Sequence, residues 1–126
     1  MTTYRTPLKE ARGLGSAKGG TGHFWLQRVT AISNIAVIAF LVFAAIRLAG
    51  APQPQVKAFF QEPVAAIFGV LLAVSATTHM RLGMQVIIED YVHGGWKLPL
   101  LLLNTFASIF IGAAVVLAVV KLYLGV

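Results

Sequence analysis

The chain contains no cysteine. That removes disulfide frameworks, cysteine-held iron–sulfur clusters and thiol catalysis from anything it does alone. Charge is scarce too: 11% of its 126 residues are charged, where a soluble domain carries about 25%. With 58% hydrophobic residues and a mean hydropathy of +0.82, this is the composition of a small, single-domain membrane protein. Acidic residues are the rarest class, four against ten Lys and Arg, for a formal charge of +6. Such a balance can mean nucleic acid, but Arg5, Lys9, Arg12, Lys18 and Arg28 all precede Val29. In a membrane protein that bias sets orientation, so we read it as topology and expect no nucleic-acid partner. No Walker sequence, HExxH, nucleophile elbow or dinucleotide fingerprint is present. There is no internal repeat, heptad pattern or low-complexity tract. The apolar run beginning near residue 24 is too long for the core of a cleavable signal peptide, and we expect a bacterial protein.

What is there is a three-span layout. Residues 1–22, with Gly13, Gly15, Gly19, Gly20 and Gly22, read as a flexible basic arm. Residues 23–126 read as a transmembrane anchor domain with spans at about 26–49, 64–90 and 98–124. Trp25 fits an interfacial belt. In the first span Ser33 and Asn34 follow Thr30 as its polar residues; they bond either a neighbouring helix or their own backbone, and the backbone is the expected partner. Gly50-Ala51-Pro52-Gln53-Pro54 ends that helix, and residues 57–62 suggest a short interfacial one. Pro63 suits a helix start. Ala65, Gly69 and Ala73 recur at four-residue spacing, the pattern that lets membrane helices approach closely, and Ser108 with Gly112 offers a second such face. Pro99 should interrupt the third span near its start. The expected fold is an all-α membrane bundle. The positive-inside rule puts the N-terminus and the Glu89-Asp90-Tyr91 end in the cytoplasm, against Arg47, Lys57 and Lys121 on the other side.

The chemistry-bearing residues gather in residues 78–94. In a helix, Ser75, His79 and Gly83 share one stripe, and Asp90 returns to within about 20° of it. Small residues flanking an imidazole let a flat, bulky cofactor approach. An ionisable group inside a span tends to face the bundle interior. His79 is therefore either a ligand to haem iron or another metal, or a histidine hydrogen-bonded between helices. A single histidine cannot complete a six-coordinate haem. The second ligand would come from another chain, or from His23 or His93. Asp90 and Tyr91 lie about 18 Å further along the axis. There a phenol can donate to a carbonyl oxygen with a carboxylate orienting it, or the pair is an aromatic-belt tyrosine beside helix-end carboxylates. Arg81 points roughly 200° from His79 and forms a row with Gln85 and Glu89, suited to an ion pair or a headgroup contact. Arg28 and His23 can neutralise a carboxylated ligand, or Arg28 is a snorkelling positive-inside arginine.

His79-x-x-x-Gly83, Gln85-Val86 and Asp90-Tyr91-Val92-His93-Gly94 together resemble the hydrophobic membrane-anchor subunit of succinate dehydrogenase. The run Ser16-Ala17-Lys18 … Gly22-His23-Phe24-Trp25 … Gln27-Arg28-Val29-Thr30-Ala31 is similar to that family's entry to its first helix. The resemblance covers nearly the whole chain and looks closest to alphaproteobacterial versions. It implies a non-flavin subunit of respiratory complex II, in a bacterial inner membrane, without a complete active site of its own. Its implied partners are a second anchor subunit packed into the same bundle, an iron–sulfur subunit and a flavoprotein subunit. It implies that His79 is one axial ligand of a haem b, shared with the partner anchor, with Arg28 near the propionates and His23 beside it. It implies that Tyr91 hydrogen-bonds ubiquinone and that Asp90 supports that site. The rival readings are a non-redox membrane protein, such as a transporter subunit or assembly factor, and the anchor of a fumarate-reducing relative.

Overall fold

The computed structural model describes residues 6–13 and 20–126. Proline and glycine set most of the helix boundaries. A short helix, α1 (Pro7–Ala11), lies within the stretch expected to be a flexible arm, and the rest of that arm up to residue 19 falls largely outside the described residues. The first long helix, α2 (Gly20–Leu48), already includes Gly20 and Gly22. Once a long apolar helix is nucleated, each residue added at its end costs little, so two glycines do not stop it. Gly50, at φ 74°, ends the helix in the left-handed region, and Pro52 prevents its resumption.

The connector forms α3 (Gln53–Gln61), the short helix expected from residues 57–62. Glu62 is extended and separates it from α4 (Pro63–Tyr91), which Pro63 opens without a wasted N–H. Val92 caps α4 through its N–H to the Ile88 carbonyl at 3.0 Å. A 3-10 turn, Gly94–Trp96, leads to α5 (Lys97–Leu124). Pro99 does not interrupt α5. It sits in the first turn, where its missing N–H would have had no partner anyway. Gly125, left-handed at φ 76°, closes α5 with N–H bonds from Gly125 to Leu122 and from Val126 to Lys121, each 3.2 Å.

Among the described residues there is no strand, and three helices are long and apolar enough to cross a membrane. The chain is a multi-pass membrane protein with α4 in the middle, packed on α2 by one face and on α5 by another. Small residues make the α5 contact possible. Ala65, Gly69 and Ala73 are all buried. A Cβ built on Gly69 would lie 3.0 Å from Val119 Cγ2, and one on Gly112 would lie 3.0 Å from Thr77 Oγ1. Both four-residue patterns are therefore points of close approach.

At the Leu48 end, Phe40 of α2 stacks on Phe68 of α4 with ring centroids 4.7 Å apart, and on Phe59 of α3 at 6.1 Å. Outward faces carry exposed Ile32, Ile35 and Ile46 on α2, and Phe106, Phe110 and Leu117 on α5. An apolar surface this extensive belongs against lipid or another chain. The middle helix is the least apolar, with a hydropathy of 1.6 against 2.4 for α2 and 2.3 for α5.

Candidate functional site

His79 faces α2, not lipid. Opposite it α2 presents Gln27, Thr30 and Asn34, spaced three and four residues apart and hence on one stripe, with His23 one turn earlier. Thr30, only 7% exposed, places its Oγ1 3.0 Å from His79 Nδ1. The same oxygen lies 2.8 Å from the Leu26 carbonyl and 3.1 Å from that of Gln27. One turn before His79, buried Ser75 donates its hydroxyl to Asn34 Oδ1 at 2.7 Å and lies 3.3 Å from the Thr30 carbonyl. Asn34 therefore bonds across the helix pair, contrary to the expectation that it serves its own backbone. In a membrane a buried amide and hydroxyl are best satisfied by each other.

With Nδ1 engaged, His79 Nε2 has no partner among the described residues. One turn further along α4 the helix flank is open: a Cβ on Gly83 would meet only Gln27 Nε2, at 3.8 Å. Further along the same seam, His23 Nε2 and Gln27 Oε1 are buried with no hydrogen-bond partner among the described residues. Orphaned buried polar atoms are uncommon and call for a polar group that the described residues do not supply. Among the described residues no three of His, Cys, Asp and Glu cluster. A metal bound here would thus not find three such ligands among the described residues.

Arg28 points elsewhere, about 200° around α2 from Thr30. It is exposed, and its guanidinium sits 4.7 Å from the centre of the Phe24 ring, a cation–π contact. Asp90 and Tyr91 occupy the last turn of α4, about 18 Å along the axis from His79. Tyr91 is 78% exposed, and neither side chain has a partner among the described residues. His93 is exposed just beyond. The expected Arg81–Gln85–Glu89 row forms in part: Gln85 Nε2 donates to Glu89 Oε1 at 2.8 Å, while Arg81 forms no ion pair with a described residue. Arg81 instead lines a small cleft with Thr77, Thr78, Ser108 and Ile109, and Asn104 of α5 donates to its carbonyl at 2.9 Å. Lys97 Nζ bonds the Glu89 carbonyl at 3.0 Å and ties the start of α5 to the end of α4. A larger apolar cleft between Pro63 and Tyr123, at the opposite end of the bundle, has no part in this seam.

Residues 2–120 match the family model of the succinate dehydrogenase/fumarate reductase transmembrane subunit. The chain belongs to this family. It is 31% identical to the succinate dehydrogenase hydrophobic membrane anchor subunit of Paracoccus denitrificans, over 97% of this chain and 95% of that protein. It is 41% identical to the succinate dehydrogenase membrane anchor subunit of Reclinomonas americana, over 61% of this chain and 67% of that one. A hydrophobic membrane anchor subunit from Rickettsia bellii is 30% identical over 71% of both chains. No solved structure matches. The family read from the motifs of residues 78–94 is therefore the right one, alphaproteobacterial relatives included.

Within this family member, the structure joins His79 to Thr30 and leaves Asp90 and Tyr91 at the far end of the same helix. Neither Thr30 nor Gln27 stands out as a site residue in the sequence alone. The signal lies in the spacing of Gln27, Thr30 and Asn34 on one helix, facing Ser75 and His79, four apart, on another.

Proposed function

We propose that this chain is the membrane-anchor subunit of a succinate:ubiquinone oxidoreductase, in which His79 provides one axial ligand to a haem b and Asp90 with Tyr91 forms part of the quinone site. The observation that carries the reading is the state of His79. Its Nδ1 is tied to a buried threonine, its Nε2 has no partner among the described residues, and the helix flank at Gly83, one turn on, is open. A haem-ligating histidine typically has one nitrogen anchored by the protein and the other free for iron. The orphaned atoms of His23 and Gln27 suit the polar margin of such a group; Arg28, on another face of α2, would serve it only by turning away from Phe24. Bound there, a haem supplies a one-electron carrier within the membrane.

A second ligand would come from a partner anchor subunit, which would also cover exposed apolar faces of this bundle. An iron–sulfur subunit and a flavoprotein subunit complete the enzyme. At the other level, the Tyr91 hydroxyl donates to a quinone carbonyl, and Asp90 orients it or passes a proton. The basic N-terminal segment puts the N-terminus and the Tyr91 end on the cytoplasmic side of a bacterial inner membrane. The named relatives are all succinate dehydrogenase subunits, which favours succinate oxidation over fumarate reduction.

The test is a reduced-minus-oxidised optical spectrum of the purified complex, wild type against His79→Ala. A b-type band that is lost or displaced in the variant supports the ligand assignment. An unaltered band rejects it, and no band in the wild type rejects the haem.

A further inference from the structure

We infer that Thr30 is the positioning residue of His79: its hydroxyl fixes the imidazole in the Nδ1–H tautomer and strengthens Nε2 as an electron donor to iron. The inference rests on the reading of His79 as a haem ligand.

A count of protons sets the direction of the bond. Thr30 Oγ1 carries one hydrogen and has three polar neighbours, the carbonyl oxygens of Leu26 and Gln27 and the Nδ1 atom of His79. The two carbonyls can only accept. Were the hydroxyl proton aimed at Nδ1, Oγ1 would face the Leu26 carbonyl oxygen at 2.8 Å with nothing between two lone pairs. The hydroxyl therefore donates down its own helix and accepts from His79 Nδ1–H. A neutral imidazole has one N–H, so the lone pair lies on Nε2.

The geometry is held from both sides. Thr30 is β-branched, buried, and restricted at χ1 by the helix it sits in. One turn away, the Ser75–Asn34 bond pins the same two helices in register. The ring thus has little freedom to rotate or to change tautomer. Accepting a hydrogen bond from Nδ1–H also draws that proton partly off the ring and enriches Nε2. A more basic ligand favours the oxidised metal.

The test compares Thr30→Val, which keeps the shape and removes the acceptor, with Thr30→Ser, which keeps the acceptor. The readouts are a potentiometric titration of the haem band in the purified complex and the low-temperature EPR spectrum of its oxidised form. We expect the midpoint potential to rise in Thr30→Val, with a displaced EPR signal, and to stay at the wild-type value in Thr30→Ser. If Thr30→Val loses the haem, retention in Thr30→Ser at the wild-type potential still supports the inference. An unchanged potential and EPR signal in Thr30→Val overturn it, as does haem loss from both variants in an assembled complex. If His79→Ala leaves the wild-type haem band untouched, the ligand reading itself has failed. An unshifted Thr30→Val beside a perturbed His79→Ala rejects only the role of Thr30.

Discussion

Gly69 of α4 and Val119 of α5 are already in contact, so that a Cβ at Gly69 would sit 3.0 Å and 3.1 Å from the two γ-carbons of Val119. Substituting Gly69 by Ala forces the valine to move within a packed interface. Overpacking of this kind costs about 1–3 kcal/mol. The purified complex should unfold at a lower temperature in detergent, and Val119→Ala in the same chain should restore part of the loss. Equal destabilisation with and without the second change would show that the contact is not the cause.

Ser75 and Asn34 should be energetically coupled. Ser75→Ala removes the hydroxyl donor and leaves Asn34 Oδ1 without its cross-helix partner. Interhelical hydrogen bonds in membranes average about 0.6 kcal/mol and reach about 1.7. A double-mutant cycle with Asn34→Leu should return a coupling in that range. A value indistinguishable from zero would mean that the bond does not hold α2 to α4.

Tyr91→Phe should separate function from stability. The side chain is mostly exposed and its hydroxyl bonds no described residue of this chain, so unfolding of the complex should change by no more than about 0.5 kcal/mol. Loss of a positioned proton donor should lower ubiquinone reduction on the order of 100-fold. Unchanged turnover would remove Tyr91 from the quinone site.

Asn104→Leu should be mild. Its amide donates to the Arg81 carbonyl, which is an α4 backbone acceptor in its own right. Only the side-chain bond is lost, and about 0.5 kcal/mol is expected. A loss of several kcal/mol in thermal unfolding would show that the Asn104 amide carries more of the α4–α5 contact than this one bond.

The fold was legible where the physics is local. Residues 29–48 remain uncharged until Arg47, and Pro52, Pro63 and Gly125 punctuate the helices as such residues do. Gly69 and Gly112 mark close approach wherever helices pack in lipid. The site was legible at one level only. The placement of His79 within a span announced a polar function, but its partner depended on the register of α2 against α4, which no local pattern encodes. Thr30 taken alone is an ordinary helix residue, and Pro99, read as a break, falls in the first turn of α5, where a proline costs no intrahelical bond. The trio of Phe40, Phe59 and Phe68 comes from three separate helices and could only be seen once they were assembled.

The low hydropathy of α4 bears on how the protein is made. A segment carrying Ser75, Thr77, Thr78, His79 and Arg81 partitions into lipid less readily than either neighbour. Its polar atoms find partners on α2, which leaves the ribosome first, and on α5, which leaves last. Its insertion should therefore lean on its neighbours more than that of α2 or α5 does. Translation that halts before Asn104 should leave α4 easier than α2 to pull back out of the bilayer.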